Sequence, residues 1–174
     1  REDPWLRSAH SPVLGVIDLT NQCNLRCPLC FAGGEAPRNP YFLEKDRVRM
    51  MLESLLRQAP APCRNIQFSG GEPTLHPDFP EILSMSRDMG FSHIQVATNG
   101  IRFLDRDYAA RCEEMGLHTL YLQFDGMSEE VYLALRGQRL LAKKLAIVEN
   151  IARTNMRLVL VPTVVSSVNE DQIG

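Results

Sequence analysis

Three cysteines fall within eight residues in the segment Thr20-Asn21-Gln22-Cys23-Asn24-Leu25-Arg26-Cys27-Pro28-Leu29-Cys30-Phe31. Thiolates crowded at this spacing are how a chain presents soft ligands to a metal. They supply one ligand fewer than a closed tetrahedral zinc site needs. A four-iron four-sulfur cluster held by three thiolates instead keeps one iron free for an outside ligand, which makes it a reagent rather than a relay for electrons. On the cysteines alone, a zinc loop completed by His10 or Cys63 stays open as the alternative. Cys63 and Cys112 stand apart and read as small buried apolar residues. Five cysteines are an odd number, which rules out a complete disulfide framework.

Four further segments carry polar groups suited to a ligand. In Ser69-Gly70-Gly71-Glu72-Pro73-Thr74, the two glycines let the backbone approach a ligand, Glu72 adds an acceptor and Pro73 stiffens the exit. An ordinary strand-to-helix turn is the plain alternative. Ala97-Thr98-Asn99-Gly100 ends in a pair typical of hairpins, yet a helical pattern follows where a hairpin needs an antiparallel strand. In Gln123-Phe124-Asp125-Gly126, an amide and a carboxylate close an apolar run and need partners there. Those partners come either from capping the helix that Ser128 opens or from a ribose or substrate. Thr163 holds the corresponding place after the next run. His76, His93 and His118 share no metal spacing and read as surface or packing residues.

These segments follow short β-rich runs: Val13 to Leu19, Asn65 to Ser69, His93 to Thr98, Thr119 to Phe124, and Arg157 to Val161. Helical patterns alternate with the runs five times, as expected of βα units feeding a parallel sheet. The runs read as apolar on both faces and so as strands covered on both sides. Val48, Met51, Leu52, Leu55 and Leu56 mark the first helix, with Met50 and Met51 as core filling. Phe79, Ile82 and Leu83 face inward on the second, about Asp78 to Met89, and the third spans about Asp105 to Met115. Ser128 with Glu129 and Glu130 opens a fourth that Gly137 ends. The fifth runs from about Leu140 to Asn155 with Leu141, Leu145, Val148 and Ile151 on one stripe, and Asn169 reads as the cap of another. The expected fold is an α/β open arc of about five parallel strands with helices outside, a partial (βα) TIM-type barrel. Residues 1–12 read as a lead-in and 13–174 as an excerpted core, with the loops at the strand C-terminal ends as the site.

Composition narrows the class further. With 174 residues, 44% hydrophobic and 23% charged, the chain fits one ordinary globular domain. A net charge of -2 with dispersed Lys and Arg argues against a nucleic-acid partner. No apolar stretch is long enough to cross a bilayer, and Arg1 to His10 lacks the apolar run of a signal peptide, so the expected location is cytoplasmic.

The CxxxCxxC spacing of Cys23, Cys27 and Cys30, with Phe31 beside the third cysteine, resembles the radical S-adenosylmethionine superfamily. The segments Gly70-Gly71-Glu72-Pro73 and Thr98-Asn99-Gly100 extend the resemblance along nearly the whole chain. It implies that the three cysteines bind a 4Fe-4S cluster, and that Gly70, Gly71 and Glu72 accept the ammonium of S-adenosylmethionine. It also implies that Phe31, Pro73, Thr98, Asn99, Gln123, Asp125 and Thr163 line the cofactor pocket. The implied reaction is reductive cleavage of the cofactor to a 5′-deoxyadenosyl radical that takes hydrogen from a substrate C–H bond, with the electron from an external donor such as ferredoxin or flavodoxin. Leu19-Thr20-Asn21-Gln22 through Ala32, taken with Tyr121 to Gly126, is similar to the branch of tetraether lipid synthases and pterin-precursor methyltransferases. That likeness implies a lipid or small-molecule substrate, with peripheral membrane contact left open. A peptide-modifying maturase is the second enzyme reading. An electron-transfer or binding module is the reading from another class, although it would have no use for Gly70-Gly71-Glu72.

Overall fold

The five β-rich runs fold as parallel strands laid side by side in chain order: β1 (Gly15–Thr20), β2 (Asn65–Gly70), β3 (His93–Thr98), β4 (Thr119–Gln123) and β5 (Arg157–Val161). The computed structural model describes residues 10–30 and 36–172. Parallel neighbours cannot be joined by a tight turn. The crossovers contain α1 (Lys45–Leu56), α2 (Phe79–Asp88), α3 (Arg106–Glu114), and the pair α4 (Glu129–Arg136) and α5 (Leu141–Ile151). Each strand therefore delivers its following loop to the same edge of the sheet. The open α/β arc of five parallel strands expected from the sequence is the fold found.

Alternation along the strands decides what meets the helices. Ile66 and Phe68 of β2, Ile94 and Val96 of β3, and Leu120 and Leu122 of β4 are completely buried beneath them. Phe68 packs edge-on against Phe79 of α2, with ring centroids 6.3 Å apart. The other face is more polar than the sequence suggested. Gln67 of β2 accepts a hydrogen bond from the Gln95 side chain of β3 at 2.9 Å, and Val16 of β1 and Val159 and Val161 of β5 are exposed. The expectation of strands covered on both faces is thus corrected: among the described residues the helices cover one face over β1 to β4, while Leu160 of β5 is exposed even on that side and Val16, Val159 and Val161 are exposed on the other.

Two helix readings also change. On α5 the buried stripe is Lys144, Ile147 and Ile151, continued by Leu140 just before the helix, while Leu145 is exposed. Met50 of α1 is exposed rather than core filling. Ser128 caps α4 as expected, its hydroxyl accepting from the Val131 N–H at 3.4 Å, and Gly137 stops that helix in the left-handed conformation. Asn169 is followed by a short 3-10 turn, Glu170–Gln172. Among the described residues no helix is long and apolar enough to cross a membrane.

The β1–β2 ladder slips at its upper end, where the register shifts between Asp18 and Thr20 so that Thr20 pairs with Gly70. Gly70 has φ +122°, and a Cβ there would collide with the Thr20 carbonyl; one on Gly71 would collide with the Gln22 carbonyl. Both obstacles are backbone and cannot swing aside. The glycines are therefore required by the close approach of two loops, a demand separate from any ligand. Gly71→Ala is expected to lower the free energy of unfolding by about 2 kcal/mol or more, measured as a reduced midpoint in urea.

Candidate functional site

The loop after β2 is zipped to the cysteine loop after β1. The Gly71 N–H donates to the Thr20 carbonyl and the Glu72 N–H to the Gln22 carbonyl, each at 2.7 Å. Glu72 then turns its carboxylate inward, where it is 1% exposed. Its Oε1 accepts from the Thr74 N–H (3.1 Å), the Thr74 hydroxyl (2.6 Å) and the Thr98 hydroxyl (2.7 Å), and its Oε2 accepts from the Asn99 N–H (2.8 Å). The loop after β3 joins the same assembly. Asn99 Nδ2 donates to the Asn24 side chain at 2.8 Å and reaches Cys23 Sγ at 3.7 Å.

A second buried centre ties the loops after β4 and β5. Asp125 is fully buried and takes the Arg136 guanidinium in a two-pronged pair, Nη2 to Oδ1 at 2.6 Å and Nε to Oδ2 at 2.7 Å. Asp125 also accepts from Gln123 Nε2 and from the Thr163 N–H at 3.0 Å. Arg136 donates further to the Thr163 hydroxyl at 2.7 Å and to the Leu29 carbonyl, between the second and third cysteines, at 3.1 Å. Burial opposes the Arg136 charge, but the carboxylate outweighs it and holds the guanidinium pKa above its usual range. Asn169 closes the assembly from below, donating to the backbone carbonyls of Asp125 (2.7 Å) and Thr163 (2.9 Å).

Between the two centres lies a cleft of about 660 Å³. Cys23, Cys27 and Cys30 border it, together with Gly70, Gly71, Thr98, Asn99, Gln123 and Thr163. Glu72, Pro73 and Asp125 stand behind its wall: Pro73 starts a buried 3-10 turn, and Asp125 neither caps α4 nor faces the cleft. Phe31 lies outside the described residues. Two cations escaped the sequence reading. Arg136 resembled a charge placed to suit a helix end. Lys144, beside Lys143, resembled a solvated pair, although its spacing with Leu140, Ile147 and Ile151 is that of a buried stripe.

The thiols suit a soft, anionic metal cluster. Leu25 and Leu29 separate them with apolar wall, Cys23 Sγ accepts from the Leu25 N–H at 3.4 Å, and Arg136 stands beside Cys27. Burial pushes the Cys23 and Cys27 thiols above their ordinary range, and metal binding is what favours the thiolate. The partners considered for a zinc loop are elsewhere. His10 and Cys63 precede β1 and β2 and so sit at the opposite edge of the sheet, where Cys63 is buried against the Asn65 carbonyl. Among the described residues no three His, Cys, Asp or Glu side chains gather closely enough to hold a single metal ion.

Comparison with known proteins places this geometry in context. The family model described as the radical SAM superfamily matches residues 17–174. The 7,8-dihydro-6-hydroxymethylpterin dimethyltransferase of Methanocaldococcus jannaschii is 45% identical over 163 residues, 93% of this chain and 32% of that protein. A probable GTP 3',8-cyclase of Sulfolobus acidocaldarius is 26% identical over 81% of this chain and 43% of that one. The chain thus spans about a third to two fifths of the length of these curated relatives. Among solved structures, Streptococcus suis SuiB bound to S-adenosylmethionine superposes with a TM-score of 0.67 at 16% identity, over 86% of this chain and 33% of that one, a likeness of fold. The similarity to the pterin-precursor methyltransferase branch expected from the sequence is borne out.

Asp125→Ala leaves the Arg136 charge buried without its carboxylate and is expected to cost about 3 to 5 kcal/mol of stability, read by chemical denaturation. Lys144 gives a second expectation. Burial lowers its pKa from 10.5 to about 8, against the opposing pull of Asp125 and Glu72. The unfolded chain then holds the extra proton between those values, so the cost of the buried charge is fully present below about pH 8 and fades as pH rises towards 10.5. The difference in melting temperature between wild type and Lys144→Met should shift in favour of wild type across that window.

Proposed function

The chain belongs to the radical S-adenosylmethionine superfamily, whose members use a 4Fe-4S cluster and S-adenosylmethionine, and we propose that residues 13–174 form the part of such an enzyme that holds both. The observation that carries this reading is the shared cleft: three thiols and the Gly70-Gly71 backbone border one space at a single edge of the sheet. In this reading Cys23, Cys27 and Cys30 ligate three irons of the cluster. When bound, the cluster and cofactor supply one electron and a 5′-deoxyadenosyl radical able to take hydrogen from an unactivated C–H bond.

The remaining work falls to the chain's own residues. Glu72, behind the cleft wall, holds the Thr98 hydroxyl and the Asn99 N–H in place, and the ammonium of the cofactor is met by the backbone at Gly70 and Gly71 that borders the cleft. Thr98, Asn99, Gln123 and Thr163 meet the rest of the cofactor, Pro73 stiffens the exit of the Gly70-Gly71 loop from behind, and Asp125 acts through Arg136, Gln123 and Thr163. Leu25, Leu29 and Val161 give the cleft an apolar wall. The electron comes from an external one-electron donor.

The 45% identity to a named pterin dimethyltransferase favours methylation of a pterin precursor over lipid coupling as the outcome. Anaerobically reconstituted protein with dithionite and S-adenosylmethionine is expected to form 5′-deoxyadenosine. Cys27→Ala is expected to lose the cluster, measured as iron and sulfide per chain; a Cys27→Ala protein with a full complement of both would overturn the ligand assignment.

A further inference from the structure

Lys144 projects from the covered side of α5 and has no solvent exposure. Its ammonium donates to two neutral oxygens, the Asn99 carbonyl at 2.6 Å and Gln123 Oε1 at 2.9 Å. Among the described residues it has no carboxylate partner within 4.0 Å, unlike Arg136. An ammonium held this way is costly, and an apolar side chain of similar volume is commonly tolerated at such a place. A charge kept here points to an effect on the groups it touches.

One of those groups faces the cleft. The Gln123 amide is caught between opposite charges: its oxygen accepts from Lys144, and its nitrogen donates to Asp125 Oδ2. Reversing the amide would turn its nitrogen towards an ammonium and its oxygen towards a carboxylate, so electrostatics alone selects the orientation. The oxygen is then committed to Lys144 and one of the two N–H groups to Asp125. The second N–H is then the one donor that Gln123 still has for the cleft.

We propose that Lys144 is a positioning residue: by holding the Gln123 amide oxygen, it makes the mouth of β4 present a hydrogen-bond donor to an acceptor atom of the S-adenosylmethionine nucleoside. The inference rests on the reading that the cleft takes this cofactor. It assigns Lys144 no contact with the cofactor itself.

The test is a double-mutant cycle on anaerobically reconstituted protein, with S-adenosylmethionine titrated by calorimetry. Lys144→Met and Gln123→Ala are each expected to weaken binding about five- to tenfold, the loss of one hydrogen bond, and the double variant to bind no more weakly than Gln123→Ala. Gln123→Glu is read beside them because it leaves Lys144 in place: it keeps acceptors and lacks the donor, so it should lose as much affinity as Gln123→Ala. Unchanged affinity in Lys144→Met, additive losses in the double variant, or retained affinity in Gln123→Glu would each overturn the inference. Wild-type protein that binds no S-adenosylmethionine would instead overturn the functional reading on which it rests.

Discussion

The upper edge of the sheet depends on a carboxylate that water does not reach. Glu72 collects donors from its own loop and from the loop after β3, while its backbone N–H is given to the loop that carries the cysteines. A buried ionised acid is tolerable only when its acceptor sites are filled. That requirement brings Thr74, Thr98 and Asn99 to it at fixed distances. The thiol loop is thereby registered against the ends of β2 and β3, and the cleft acquires one side.

The other side is set by Asp125 and Arg136, which obey the same rule with a direct ion pair. Through Arg136 the pair reaches the Leu29 carbonyl, so the cysteine loop is fastened at both ends: by backbone bonds before Cys23 and by a guanidinium between Cys27 and Cys30. Lys144 links the two centres. It holds the carbonyl of Asn99, whose N–H is held by Glu72, and the amide of Gln123, whose nitrogen is held by Asp125. Two acids and two bases in this layer balance in charge, which lets a polar floor persist beneath the cleft.

Much of this was legible in the residues. Parallel βα order follows from five short apolar runs alternating with helical patterns, and it places every loop after a strand at one edge. The thiol spacing and the Gly70-Gly71-Glu72 loop then fall together because both follow strands. Less legible was the purpose of the glycines, since no local pattern tells whether a missing Cβ admits a ligand or a neighbouring loop; here the neighbour is the backbone at Thr20 and Gln22. The buried stripe on α5 lies one position from the apolar pattern because it includes Lys144, and no spacing rule marks a lysine as buried.

What the sequence by itself determined was the set of local devices: strand and helix order, the cap at Ser128, the stop at Gly137, and three thiols on one short loop. Only the tertiary structure decided which polar side chains face the cleft and which support it from behind. Gln123 and Asn99 reach the space, whereas Glu72, Asp125 and Lys144 are buried as struts. The physical reason is that a charge is tolerated inside a protein only with partners, and those partners lie up to 107 positions away along the chain, as Leu29 does from Arg136.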